Sequence, residues 1–225
     1  MQSSNPAILF DLDGTLVDSV YQHVSAWHEA LLEEGIDLSI WRIHRRVGMS
    51  GGLFVRALAR EIGRSVDDAT QQRLVRAHAD AYVRRIAHVR PLPGARELLS
   101  ELSRVNVPWA IATSGGRAIA QRTLSLMQIP AGVPVITRDD VSYAKPNPDL
   151  FLLAAQRLGV QIESSFVVGD SIWDLLAAQR ARALGIGVLS GGYGRNELEM
   201  AGAYRVYSEP AEMLARLDEL GIREP

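Results

Sequence analysis

The chain has no cysteine, which excludes disulfides and thiolate metal ligands. A reducing, cytoplasmic setting is the expectation. Lysine is nearly missing as well: of 24 basic residues only Lys145 is a lysine, and arginine carries the rest of the positive charge. No apolar run approaches the roughly 18 residues that a membrane span needs. The opening Met1-Gln2-Ser3-Ser4-Asn5-Pro6 has neither the basic region nor the apolar core of a secretory signal. Strong net charge is absent too. A balance of −2 offers no field to draw nucleic acid or an anionic membrane, so neither is an expected partner. There are no repeats and no low-complexity segments. What remains is a chain of 225 residues, long enough for one domain or for a domain with an insert. Its 47% apolar and 22% charged content fits an ordinary globular core.

The organising stretch is Phe10-Asp11-Leu12-Asp13-Gly14-Thr15-Leu16-Val17-Asp18-Ser19. Ala7 to Phe10 is an apolar run of strand length. Strand alternation turns Asp11 and Asp13 to one side and Leu12 to the other, and Gly14 permits a turn. Two carboxylates then share the carboxyl end of a buried strand, where open α/β sheets bind ligands. Holding them close is costly unless a cation lies between them or one is protonated. A bare Asp-x-Asp would serve equally as a strand end with solvated caps.

Between about residues 19 and 88 the pattern is helical throughout. Val20, Val24, Trp27 and Leu31 share one face, and Gly35 ends that helix. Leu53, Phe54, Ala57, Leu58 and Ile62 mark a second, ending at Gly63. Ser65-Val66-Asp67-Asp68 reads as the capped start of a third, carrying Leu74, Val75, His78, Ala81, Tyr82 and Ile86. Pro91-Leu92-Pro93-Gly94 is a break and a candidate hinge. Beyond it strands and helices alternate to the end. The expected architecture is α/β: a doubly wound, Rossmann-like parallel sheet with a helical cap inserted after the first strand. The core comprises 1–18 and 89–225, and the cap 19–88.

Three more strand ends share the edge that carries Asp11. Thr113-Ser114-Gly115-Gly116 offers a hydroxyl and backbone N–H groups to an anion, although the same string makes an ordinary loop. Lys145 stands before Pro146 and Pro148 in a stiff loop. Arginine would serve a solvated surface in this chain, whereas a compact ammonium suits a point between a carboxylate and a phosphate oxygen. Asp170 and Asp174 follow a strand in Val168-Gly169-Asp170-Ser171-Ile172-Trp173-Asp174 and have the spacing of oxygen ligands for a hard cation. In isolation they would read as a helix cap and a first-turn charge.

These four strings, in this order, resemble the four motifs of the haloacid dehalogenase-like hydrolases, in particular their phosphoglycolate phosphatase-like branch. The resemblance spans nearly the whole chain and implies a Mg²⁺-dependent phosphatase acting on a small phosphorylated metabolite, as a monomer or homodimer. It implies Asp11 as nucleophile and Asp13 as acid and base. Asp11, Asp170 and the Asp13 carbonyl would be metal ligands, and Asp174 would hold a metal-bound water or Lys145. Thr113, Ser114, Gly115 and Lys145 would surround the phosphoryl group. Substrate choice would fall to cap residues: His23, Arg46, Gly48, Met49 and Ser50, with Arg45 beside them. An arginine there could meet a carboxylate such as that of phosphoglycolate. His28, His44, His78 and His88 are read as structural or surface groups, and Trp27 as core. Gly191-Gly192-Tyr193-Gly194 resembles the family's late loop and is given no more than a wall role.

Rival readings are weaker. β-Phosphoglucomutases share the opening motif and the His23-x-x-x-Trp27 pattern, but they usually carry an arginine after their Gly-x-Ser and a cap lysine. Here Gly51 follows Ser50, and 19–88 contains no lysine. Phosphatases of sugar phosphates or pyrophosphate remain open as substrate variants. A phospho-aspartate receiver module is shorter, has no helical insert and lacks Asp13. A dehalogenase would not need Asp13 as an acid.

Overall fold

A computed structural model describes residues 6–222 of the chain. In chain order it runs β1 (Ala7–Phe10), β2 (Val17–Asp18), α1 (Val20–Glu33), α2 (Ile40–His44), α3 (Gly51–Glu61) and α4 (Asp68–Arg85). Then come β3 (Arg90–Pro91), α5 (Ala95–Arg104), β4 (Trp109–Ala112), α6 (Arg117–Leu124), β5 (Val135–Ile136) and α7 (Asp149–Leu158). The chain closes with β6 (Ser165–Gly169), α8 (Ile172–Ala181), β7 (Leu184–Val188), α9 (Arg195–Met200), β8 (Ala203–Tyr207) and α10 (Pro210–Ala215).

Six strands form one parallel sheet in the order β5-β4-β1-β6-β7-β8. β1 lies in the middle because its four residues are apolar on both sides and need cover on both faces. Ile8 and Phe10 join a core cluster with Leu98, Leu102, Ile111 and Met213. Leu9 joins a separate cluster with Ala110, Phe151, Ala154 and Ala178. The small side chains of that second cluster let α7 and α8 pack close to the sheet. Phe10 is in register with Ile111 on one side and Val168 on the other, so the carboxyl ends of β1, β4 and β6 line up. The chain leaves β1 for β4 on one side and later returns to β6 on the other, which makes this edge a topological switch point.

The helices α1–α4 pack on their own apolar cluster of Val20, Val24, Trp27, Ile43, Phe54 and Leu74. Asp67 starts α4 by accepting a hydrogen bond from the Thr70 amide at 2.7 Å. Several details differ from the sequence reading. β2 and β3 form an antiparallel ribbon, with Val17 opposite Pro91, where the chain enters and leaves the helical block. Two-residue strands are too short to show a period. α2 and α9 were not expected, since five or six residues give little periodic signal. The block is also not packed apart from the rest, because Ala26, Ala81 and Tyr82 belong to the cluster built around β1. No helix among the described residues is long and apolar enough to cross a membrane.

Tyr82 is fully buried, and its hydroxyl meets Thr123 Oγ1 on α6 at 3.0 Å. Tyr82→Phe keeps the ring and removes this tie. The expected result in a urea titration is a loss of about 1 kcal/mol of unfolding free energy, the usual worth of one buried hydrogen bond. An unchanged midpoint would show that the tie contributes nothing.

Candidate active site

The end of β1 is fixed before its side chains are considered. The Asp11 amide donates to Val168 O at 2.8 Å, and Leu12 O accepts from the amides of Leu16 and Val17 at 2.9 and 3.1 Å. Gly14 makes the turn at φ +83°, where a side chain would be strained. Leu12 is thereby sunk into the core, and Asp11 and Asp13 line a cavity of about 280 Å³ under the helical block.

Lys145 has no exposed surface. Its ammonium pairs with Asp11, lies 2.9 Å from Asp174 Oδ1 and sits 5.0 Å above the Phe151 ring. Burial alone would neutralise it, but Asp11 and Asp174 outweigh burial and hold it protonated, with its basicity raised. Ser171 fixes Asp174 through its hydroxyl at 2.6 Å and its amide at 3.2 Å, both given to Oδ2. Thr15 Oγ1 donates to Asp170 at 3.4 Å.

Carboxylate oxygens of Asp11, Asp170 and Asp174 lie within 4.8 Å of one another. Three buried carboxylates against one ammonium leave an excess of negative charge. The carboxyls show it. Burial pushes Asp11 up, Lys145 offsets this in part, and Asp174 and Asp13 push it further. Burial pushes Asp170 well above the ordinary range, aided by the charges of Asp174 and Asp11. A divalent cation would relieve that excess, and a set made only of hard oxygens suits Mg²⁺.

The Asp13 carboxylate stands outside this cluster. It accepts the Ser19 hydroxyl at 2.7 Å and lies 3.2 Å from His23 Nε2. Burial opposes its ionisation, but His23 and Ser19 prevail and hold it below the usual value. Asp13 lines the same cavity as Asp11, while Asp174 stands with Asp11 and Asp170.

Glycines let the acids pack this tightly. A Cβ on Gly191 would fall 1.7 Å from Asp170 Oδ2, and one on Gly169 would fall 2.2 Å from the Asp174 Cβ. Opposite, Thr113 is anchored by its amide to Ile136 O at 2.9 Å, and its Oγ1 accepts the Gly115 amide at 3.0 Å. The hydroxyl proton of Thr113 is then free to point into the cavity. Ser114 Oγ is buried there without a partner among the described residues.

Of the residues expected on the helical block, His23, Gly48 and Met49 line the cavity and Arg46 and Ser50 do not. Arg46 is drawn away by Glu61 and by the carbonyl of Arg42 at 2.8 Å. Ser50 is the buried N-cap residue of α3. Arg45 pairs with Glu197, and its guanidinium lies 4.1 Å from the centre of the Tyr193 ring.

A family model described as haloacid dehalogenase-like hydrolase matches residues 6–182. The chain belongs to this family. Its fold and sequence are similar to a hydrolase from Pseudomonas syringae, with a TM-score of 0.93 and 52% identity over 95% of this chain and 98% of that one. A phosphoglycolate phosphatase from Rhodospirillum rubrum is 31% identical over 97% of this chain and 92% of its own length. Hexitol phosphatase A from Escherichia coli is 33% identical over 72% of this chain and 73% of its own.

Two parts of this hydrolase's site escaped the sequence reading. His78 lines the cavity, with its Nε2 3.1 Å from His23 Nδ1 and its ring stacked 4.0 Å from Trp27. Burial, with His23 adding to it, holds its basicity well below the ordinary value, so it stays neutral. The signal was two pairs at helical spacing, His23/Trp27 on α1 and His78/Tyr82 on α4, which face each other as stacked rings. The late loop is the other part. His44 Nε2 donates to Gly191 O at 2.8 Å, while Trp173 Nε1 and Tyr193 OH both donate to Arg45 O, at 3.2 and 3.0 Å. These bonds tie the helical block to the late loop and to α8, which flank Asp170.

If the acidic cluster binds Mg²⁺, millimolar Mg²⁺ should raise the melting temperature, and Gly191→Ala, which drives a methyl into Asp170, should abolish that rise. Gly194→Ala meets nothing closer than 3.4 Å and should keep it. Differential scanning fluorimetry distinguishes the two, and an intact Mg²⁺ response in Gly191→Ala would refute the packing argument.

Proposed function

We propose that this protein is a Mg²⁺-dependent phosphatase of small phosphate monoesters that works through an aspartyl-phosphate on Asp11. The observation that carries the reading is the division of labour between two aspartates on one strand end. Asp11 lies among Lys145, Asp170 and Asp174, as a nucleophile beside a cation would. Asp13 lies apart, held by Ser19 and close to His23, as an acid and base would. The phosphatase relatives from Rhodospirillum and Escherichia support the same chemistry.

In this reading the Asp11 carboxylate attacks phosphorus in line, and the bond from phosphorus to the ester oxygen breaks. Asp13, held ionised at rest by His23 and Ser19, takes up a proton from solvent as the anionic ester enters and passes it to the departing oxygen. It then takes a proton from water, whose oxygen attacks the phosphorus and frees Asp11 and inorganic phosphate. Thr113, the Ser114 amide and Lys145 hold the equatorial oxygens throughout. Asp11, Asp170 and the Asp13 carbonyl would hold Mg²⁺, with Asp174 nearby, and the ion would supply charge neutralisation. Residues 19–88 act as a cap over the core of 1–18 and 89–225, and its closure excludes bulk water.

Phosphate release from a panel of small esters tests this. EDTA should abolish turnover and Mg²⁺ should restore it; full activity in metal-free protein would sink the assignment. Asp13→Asn should lose about 10²–10⁴-fold in kcat, the usual range for general acid–base catalysis. Asp11→Asn should be inactive and should take up no phosphate by mass spectrometry. Lys145→Arg should fail on every ester alike, because a planar fork does not fill the place of a compact charge. Near wild-type rates in any of the three would remove that residue from the mechanism.

A further inference from the structure

The part of the cavity that would face a leaving group is almost free of charge. Trp27 on α1, Val47 and Met49 before α3, Val75 and Ala79 on α4, and Ile119 on α6 form it. Phe54 and His78 already stack on the Trp27 indole, with ring centres 4.1 and 4.0 Å away.

Cations are scarce there. Among the described residues Arg117 is the one lysine or arginine in the lining. Its guanidinium is 2.5 Å from Asp140 Oδ1, and its amide donates to Asp139 Oδ2 at 2.8 Å. The lining there carries the Asp139 carboxylate beside the guanidinium, which Asp140, outside the lining, engages. Arg45 and Arg46 are engaged by Glu197 and Glu61, away from the cavity. His23 is turned to Asp13, and His78 is neutral. The likeness to the Rhodospirillum phosphoglycolate phosphatase supplies no partner for a carboxylate, since the arginine expected to meet one is held elsewhere. An anionic leaving group entering here would shed water, find no free cation and approach Asp13 and Asp139.

Building on the phosphatase reading, we infer that the cavity selects phosphate monoesters with a small uncharged leaving group and rejects those carrying a carboxylate or a second phosphate. Rejection comes from missing counter-charge as much as from attraction to the neutral ester. The volume of about 280 Å³ keeps the substrate to metabolite size.

The test uses two esters that differ by CH₂OH against COO⁻, 2-hydroxyethyl phosphate and 2-phosphoglycolate. With Mg²⁺, kcat/KM should favour the neutral ester by about tenfold or more. Calorimetry on the wild-type, Mg²⁺-loaded protein with their uncleavable methylene analogues, 3-hydroxypropylphosphonate and 3-phosphonopropionate, should give the same order. Val75→Lys sets an ammonium on the α4 wall. It should raise the phosphoglycolate value and narrow the ratio, with circular dichroism confirming the fold. An equal or reversed preference in the wild-type protein would overturn the inference. Failure to turn over any ester would defeat the phosphatase reading, and the phosphonate affinities would then decide alone: tighter binding of the neutral analogue upholds the selection, and equal or weaker binding overturns it.

Discussion

An ammonium with no access to water constrains this molecule more than any other single group. Lys145 can stay charged in the interior only while carboxylates surround it. Asp11 comes from β1 and Asp174 from α8, so the pairing joins three separate stretches of chain at one sheet edge. Those partners are drawn close enough to repel one another and Asp170, and glycines at 14, 169 and 191 remove the side chains that would force them apart. The same crowding that keeps Lys145 charged leaves the edge short of positive charge. A bound cation would relieve that shortage.

Much of this edge was legible in the sequence because its signals are local. Apolar runs of four or five residues followed by Asp, Thr or Gly-Asp declare strand ends. A single lysine in a chain of arginines declares itself by composition. The contents of the cavity roof were not legible, because partners distant in sequence decide them. Arg46 looks like a substrate contact until Glu61, fifteen positions on, takes its guanidinium. His78 looks like a surface histidine until α4 is laid against α1 and its ring meets Trp27. Gly191 looks like any loop glycine until Asp170 is found against its α-carbon. The short pieces α2, α9 and the β2–β3 ribbon fell below the length at which periodicity says anything.

The helical block meets the rest of the chain in three different ways. At its base the β2–β3 ribbon holds the two crossing segments side by side. On the α6 side Tyr82 reaches into the core and bonds Thr123. On the far side His44 and the Arg45 carbonyl bond the loop and helix that follow Asp170. The ribbon is backbone pairing, the α6 contact is one hydrogen bond beside the packing of Ala26, Ala81 and Tyr82 into the β1 cluster, and the far contact is three hydrogen bonds. The bonds of the far contact lie beside Asp170, so the helical block and the acidic cluster meet there.

The position of β1 in the sheet also bears on how the protein is made. The central strand is the first to leave the ribosome, yet its neighbours are among the later parts of the chain. Ile8 must wait for Trp109 on one side and for Phe166 on the other. The apolar residues from Ala7 to Phe10 thus remain an unpaired strand while α1 to α4 are being synthesised. The helical block can gather around its own cluster in that interval, but the sheet cannot close. Nascent chains that stop short of β6 would hold Asp11 and Lys145 without Asp170 or Asp174, with β1 open along one side. The motif at β1 is completed only when Lys145, Asp170 and Asp174, all later in the chain, are in place beside Asp11.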